Sequence, residues 1–224
     1  MATSSSPAEG PGAAVPSAGV PSGGVPSGGV PSGAVPADPA PALTIGVIGS
    51  ARLSPPDPRC VPAEQIGAAI AAEGWAVMTG GYGGLMEVTS RAAAQAGGTV
   101  IGLPMRGWAR LTPNRWNHEL RWSDTYPERL AHFLTTDAVV AVDGGIGTLA
   151  EAAIIWSALQ TEPAAPELIF VGAGWPEVLE ALGAHLVIDD RDLGLVTVCP
   201  DPRMAVAHIA ETRSGRRRAP SPRG

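Results

Sequence analysis

Two glycine-rich turns are the parts of this sequence best suited to do chemistry. The first, at 79–87, reads TGGYGGLME, and the second, at 143–151, reads DGGIGTLAE. Each turn follows a short apolar run and precedes an alanine-rich helical pattern, so each is predicted to join a strand to a helix. Glycine lets the backbone approach an anion closely, and a helix start offers free N–H groups and a positive dipole end. The pair predicts a phosphate-bearing ligand beside a carboxylate.

The predicted ligand site combines both turns with the polar end of the first predicted strand. Parallel α/β sheets bind ligands beyond the carboxyl ends of their strands, so these segments should converge on one cleft. The residues predicted to bind phosphate or nucleotide are Gly49, Ser50, Gly80, Gly81, Gly83, Gly84, Met86, Gly144, Gly145, Gly147 and Thr148.

Glu151, which ends the second turn, allows two interpretations. The spacing from Thr148 to Glu151 fits a capping box, in which the carboxylate returns to the N–H groups of the first helical turn. A carboxylate in this place could also stabilise positive charge on a ligand or activate a water molecule. Tyr82 in the first turn is similarly open, since it could stack on a base or cover the end of the sheet.

The elements that must position these residues alternate between strand and helix. Strands are predicted at 43–49, 75–79, 99–103, 138–142, 167–171 and 195–199, and helices at 62–73, 85–96, 127–134, 148–159, 175–186 and 202–212. This alternation is typical of right-handed βαβ units. It predicts an α/β fold, a Rossmann-like doubly wound parallel sheet, with a long irregular connection at 104–125.

The two ends of the chain differ in composition from this pattern. Val-Pro-Ser recurs every five residues within 15–32, and nothing large is available there to form a core. We therefore predict a disordered tail at 1–42, a single domain at 43–212 and a disordered basic tail at 213–224.

The composition argues against several classes of protein. All fifteen basic residues are arginine, so the chain has no lysine amine for pyridoxal phosphate and none for a Walker A loop. Neither turn reads Gly-x-Gly-x-x-Gly, which disfavours a nicotinamide or flavin enzyme. The net charge of −6 argues against nucleic acid as a partner. Scattered histidines and only two cysteines predict no metal site and a reducing, cytoplasmic location, and no apolar stretch is long enough for a membrane span.

At the two turns the sequence resembles the LOG family. The matching motifs are the glycine cluster followed by Gly-Leu-Met at 80–86 and the Gly-Gly-x-Gly-Thr-x-x-Glu pattern at 144–151, with AGGTVIGLP at 96–104 as a flanking match. The resemblance spans roughly 43–172 and implies a Rossmann-like fold. It also implies a phosphoribohydrolase that cleaves nucleoside 5′-monophosphates, such as those of cytokinins, into free base and ribose 5-phosphate. Such enzymes use no metal or organic cofactor.

The resemblance also implies roles for single residues. Glu151 stands at the position of the family's catalytic glutamate. An ungapped alignment places Glu128 at the position of the catalytic arginine, with Arg129 directly after it, so Arg129 is the arginine predicted to act with Glu151. Asp143 replaces the proline of the second motif and adds an anion near the expected phosphate.

Two functions remain open at this point. The first is the phosphoribohydrolase, and the alternative is a noncatalytic carrier of a nucleotide or of a pterin phosphate such as the molybdenum cofactor. The resemblance further implies a homodimer, for which the arginine- and tryptophan-rich segment 104–125 is the expected contact.

Overall fold

The structure is a computed structural model that describes residues 42–218, with side chains described as far as Arg213. The strands are β1 (Thr44–Ile48), β2 (Ala76–Thr79), β3 (Val100–Gly102), β4 (Glu119–Leu120), β5 (Ala138–Ala141), β6 (Glu167–Val171) and β7 (Val196–Cys199). The helices are α1 (Cys60–Ala72), α2 (Leu85–Gln95), α3 (Tyr126–Leu134), α4 (Ile146–Thr161), α5 (Trp175–His185), α6 (Asp190–Leu193) and α7 (Pro202–Arg218).

The seven strands form one parallel sheet in the order β4-β3-β2-β1-β5-β6-β7. β2 and β5 are buried along their whole length, and β1 and β6 are buried except at their first residue, as apolar runs predict for strands covered on both faces. One core cluster packs α1, α2 and α7 against the sheet, and a second packs α3, α4 and α5. The predicted Rossmann-like, doubly wound sheet is confirmed.

Every strand and helix predicted from the sequence is present, with bounds that differ by a few residues. β4 and α6 were not predicted. Both residues of β4, Glu119 and Leu120, are exposed, so the strand carries no hydrophobic pattern and forms only because β3 offers it an edge. The predicted irregular connection at 104–125 therefore contains one short strand.

The predicted terminal tails fall mostly outside the described residues, which exclude 1–41 and 219–224. α7 continues to Arg218 and so enters the segment 213–224, for which the sequence predicts disorder. No helix within 42–218 combines the length and the apolar character that a membrane crossing requires.

The strand order reverses between β1 and β5, and this switch point creates the site. β2 and β3 lie on one side of β1, while β5, β6 and β7 lie on the other. The loop after β1 bridges the two halves, because the Ser50 N–H donates to the Asp143 carbonyl at 3.0 Å and the Ser50 carbonyl accepts from the Leu85 N–H at 2.8 Å. Both glycine turns are thereby held beside the end of β1.

Candidate functional site

A cleft of about 830 Å³ opens at the carboxyl ends of the central strands. Such a crevice at a switch point is where open α/β sheets bind their ligands. Ten of the residues predicted from the sequence line it: Gly49, Ser50, Gly83, Met86, Arg129, Gly144, Gly145, Gly147, Thr148 and Glu151.

Arg129 and Glu151 form a buried ion pair at the base of this cleft. Arg129 Nη1 donates to Glu151 Oε1 at 2.7 Å, and the two residues are only 4% and 8% exposed. Arg129 Nε donates to the Leu103 carbonyl at 2.9 Å, which fixes the guanidinium at the end of β3. The structure thus brings together the two residues that the resemblance implies are catalytic.

Burial also changes the acidity of Glu151 and of the neighbouring Tyr126. Desolvation raises the pKa of Glu151, and the charge and hydrogen bond of Arg129 oppose that rise. Desolvation likewise raises the pKa of Tyr126, with a further rise from the nearby Glu151 carboxylate. Protonation of Glu151 is therefore coupled to its surroundings, as is common for acid–base residues in clefts.

A capping box at the start of α3 aims Arg129 into the cleft. The Glu128 N–H donates to Thr125 Oγ1 at 3.3 Å, and the Glu128 carboxylate accepts from the N–H groups of Thr125 and Asp124. Glu128 is thereby engaged at the helix start, while Arg129, Leu130 and Phe133 form the buried face of α3. Glu128 aligns with the catalytic arginine of the LOG family, but Arg129, the next residue, is the one that lines the cleft.

The capping box considered for Thr148 and Glu151 is absent. α4 begins at Ile146 after Gly145, which has no side chain to cap it, and Glu151 turns to Arg129 instead. The first intrahelical bond joins the Leu149 N–H to the Gly145 carbonyl at 2.9 Å, so the N–H groups of 146–148 precede the hydrogen-bonded ladder. These donors border the cleft and suit an anion.

Three glycines of the first turn lie behind the cleft lining. A side chain at Gly80 would collide with the Arg129 guanidinium and the Met86 sulfur. Gly81, at φ +80°, packs on the backbone of Gly102, and Gly84, at φ +74°, packs on the backbone of Ser50. The structure places these three where they shape the cleft and leave room for Arg129.

Aromatic residues from separate segments also line the cleft. The Tyr82 and Trp108 ring centres are 5.8 Å apart, and those of Trp108 and Tyr126 are 6.2 Å apart, with tilted planes in both pairs. We call these three residues the aromatic wall. Sequence reasoning considered Tyr82 but missed Tyr126 and did not single out Trp108 among the tryptophans of its segment, because three-dimensional proximity alone distinguishes them.

Charged residues at the cleft differ in how far they are neutralised. Arg59 is tied to Asp57 by hydrogen bonds of 3.0 and 2.7 Å, whereas Arg52 has no carboxylate partner among the side chains described up to residue 213. Burial raises the pKa of Asp143, and Arg59 opposes that rise. The cleft lining therefore includes the Arg52 cation together with an aspartate whose pKa burial raises. No group of three or more histidine, cysteine, aspartate or glutamate side chains within the described residues could hold a metal ion.

Comparison with known proteins places this fold and site in a family. The model of the SLOG cluster4 family matches residues 42–161, a range that contains both turns, Arg129 and Glu151. The chain belongs to this family. The predicted resemblance, read from the two glycine motifs, is thereby confirmed at the family level.

The chain is also similar to individual proteins. The SLOG cluster4 chain is 30% identical over 112 residues to an uncharacterized protein of Archaeoglobus fulgidus, a match that covers 50% of this chain and 72% of that protein. It is similar to the molybdenum cofactor carrier protein of Chlamydomonas reinhardtii, with 27% identity, a TM-score of 0.62 and coverage of 77% and 98% of the two chains. The molybdenum cofactor binding protein of Rippkaea orientalis shares the fold at 22% identity and a TM-score of 0.60, over 79% and 99% of the chains.

Proposed function

We propose that this protein is a LOG-like nucleoside 5′-monophosphate phosphoribohydrolase, which releases free base and ribose 5-phosphate. The observation that carries the proposal is the buried Arg129–Glu151 pair, which shares one cleft with the uncapped start of α4. An anion site and a carboxylate in one crevice are the two elements that this hydrolysis needs.

The start of α4 binds the 5′-phosphate in this proposal. The N–H groups of 146–148 and the helix dipole supply donors and positive potential, and the exposed Arg52 in the cleft lining adds a cation. Thr148 lies against Gly144, where any side chain would collide with it, so the turn can close tightly around an anion. The phosphate anchors the nucleotide and leaves its ribose to extend toward the base of the cleft.

Glu151 acts on the glycosidic carbon, C1′. It lies five residues after Ile146, and an α-helix rises about 1.5 Å per residue, so its backbone is about 7.5 Å along the axis from the first helical residue. A ribose bridges a separation of this order between its 5′-phosphate and C1′. As the C–N bond breaks, positive charge develops at C1′, and the Glu151 carboxylate stabilises that charge or activates the attacking water.

Arg129 holds Glu151 in place and limits its protonation. The Nη1 hydrogen bond orients the carboxylate, and the positive charge opposes the rise in its pKa that burial causes. The same guanidinium offsets negative charge on the departing base. The proposed reaction consumes water and involves no metal or organic cofactor.

The test is base release from a panel of nucleoside 5′-monophosphates that includes AMP and isopentenyl-AMP. We expect the wild-type chain to release base and Glu151→Gln to lower kcat by about 10²- to 10⁴-fold, the usual contribution of a positioned acid–base group. Glu87→Gln is the matched control, because Glu87 ends the other glycine turn yet is exposed and lies outside the cleft lining. Chromatography of the free base provides the measurement.

Saturable nucleotide binding without base release, in wild type and Glu151→Gln alike, would contradict the hydrolase. That result would favour the second candidate, a noncatalytic carrier of a nucleotide or a pterin phosphate. The specific observation in its favour is the 27% identity to the Chlamydomonas reinhardtii carrier over 98% of that chain. A homodimer and a cytoplasmic location complete the proposal.

A further inference from the structure

The aromatic wall contains one buried ring, Tyr82, and two that are more accessible, of which Trp108 is the more exposed. Tyr82 is only 4% exposed, and its hydroxyl accepts a hydrogen bond from the Met105 N–H at 2.7 Å, so it is held in place within the protein. Trp108 leans on Tyr82 and Tyr126 but is 37% exposed and borders the cleft. A large ring left accessible in a cleft that also offers helix N–H groups to an anion suits a ligand that has a flat apolar part as well as a phosphate.

Trp108 also lies beside the catalytic pair of the proposed function. The guanidinium carbon of Arg129 is 5.5 Å from the centre of the Trp108 ring, and Arg129 in turn contacts Glu151 at 2.7 Å. If C1′ lies at Glu151, the base is one bond further on and falls within reach of this ring. A phosphate at the start of α4 and a flat ring at Trp108 then occupy the same cleft.

We propose that Trp108 is a specificity-determining residue that stacks on the planar heteroaromatic ring of the ligand. The placement of that ring rests on the proposed function, because it is deduced from the position of C1′. The chemistry selects ligands that carry both a phosphate and a flat ring, such as a purine nucleoside monophosphate, over sugar phosphates that lack one. Stacking on an aromatic side chain tolerates different rings, since every base presents a π face.

The test compares two ligands that differ only in the ring. Titration calorimetry with the full-length chain measures the affinity of AMP and of ribose 5-phosphate in wild type, Trp108→Ala and Trp108→Phe. We expect Trp108→Ala to weaken AMP binding by roughly 5- to 150-fold, the range for loss of one base stack, and to leave ribose 5-phosphate binding unchanged. Trp108→Phe should retain most of the AMP affinity, because it keeps an aromatic face.

Trp122→Ala is the matched control. Trp122 belongs to the same segment, is 40% exposed and lies near an arginine, with Arg106 at 5.8 Å from its ring centre, but it is outside the cleft lining. It should leave both affinities unchanged. A loss of AMP affinity in Trp122→Ala equal to that in Trp108→Ala would overturn the proposal, because the effect would then not belong to the cleft.

Other outcomes separate this proposal from the proposed function. Wild-type AMP affinity in Trp108→Ala, an equal loss for both ligands, or no binding of AMP to the wild-type chain would each overturn the stacking role. Selective loss of AMP affinity in a chain that releases no base would support the stacking role and contradict the hydrolase. Thermal unfolding of each variant shows whether it is folded, and Trp108→Phe provides a second variant if the alanine chain is not.

Discussion

Burial of Arg129 and Glu151 costs desolvation free energy, and the opposite charges of the two residues partly compensate each other. Moving two charges out of water is expensive, and removal of one partner leaves the other charged group buried without compensation. Both side chains lie almost entirely below the surface, so the pair is exposed to this effect in full. The presence of this ion pair in the cleft is therefore better explained by the proposed reaction than by a gain in the free energy of unfolding.

Arg129→Met should destabilise the protein by about 3–5 kcal/mol at neutral pH, because it leaves the Glu151 carboxylate buried and unpaired. Loss of the cation also raises the pKa of Glu151 beyond the rise that burial already causes. The destabilisation is therefore present above that raised pKa and is relieved as the pH falls through it and the carboxyl group gains a proton. Urea unfolding across a pH series measures the effect.

The double variant Arg129→Met, Glu151→Leu is the companion to this measurement. It replaces the pair with apolar groups and should recover much of the lost free energy of unfolding without recovering activity. A double variant as unstable as the single one at neutral pH would show that the destabilisation has another source than an unpaired charge.

The sequence predicted which residues lie at the site better than it predicted the residues that they contact. Glu151 and Arg129 were both expected at the site, but Thr148–Glu151 spacing fits a capping box equally well, and only the approach of α3 decides between them. Gly80 was expected to bind phosphate, yet it faces the Arg129 side chain. Contacts between segments distant along the chain leave no local pattern, so these details could not be predicted.

Among the elements, α3 has the closest link to the site, because its capping box directly precedes Arg129. The side chain of Thr125 satisfies the Glu128 N–H, and Arg129 follows in the same helical turn. The geometry of this first turn sets the direction in which the guanidinium leaves the helix.

Thr125→Ala should cost about 1 kcal/mol of unfolding free energy, the usual effect of losing an N-cap side chain. It should also lower base release, because small displacements of positioning groups are costly in rate. Asp201→Ala is the matched control: Asp201 accepts from the N–H groups of Arg203 and Met204 at the start of α7, which packs on the other face of the sheet. Equal losses of activity in both variants would trace the effect to general stability.

Long apolar and amphipathic elements were predictable, whereas β4 and α6 were not. After their first residues, Thr44 and Glu167, β1 and β6 are continuous apolar runs whose burial follows from their composition. α6 has only four residues, none of them buried, and is fixed by the side chain of Asp189. Short exposed elements depend on a neighbouring edge or a single cap, neither of which produces hydrophobic periodicity.

In the molecule as a whole, the switch point lies between two halves of the sheet, and each half contributes different residues to the cleft. Tyr82 and Trp108 follow β2 and β3, on one side of β1, and the proposed phosphate turn follows β5 on the other side. The pair of Arg129 and Glu151 comes from the helices that flank β5. The residues proposed to bind the ring and those proposed to bind the phosphate thus follow different strands of the sheet.

The predicted homodimer can be tested by measuring the mass of the protein in solution. If the protein is a dimer, sedimentation velocity should give twice the mass of the 224-residue chain across the micromolar range, with dissociation on dilution. A single species of monomer mass at the highest concentrations would contradict the dimer. Arg129 and Glu151, which carry the proposed reaction, belong to the same chain.

The space at Gly80 has an evolutionary consequence. The Arg129 guanidinium and the Met86 sulfur occupy the volume that a side chain at position 80 would fill. Among homologous chains, positions 80 and 129 should therefore covary: an arginine at 129 should favour glycine at 80, and a side chain at 80 should favour a shorter residue at 129. An alignment of homologous chains at positions 80 and 129 would therefore identify the homologues that lack the buried arginine.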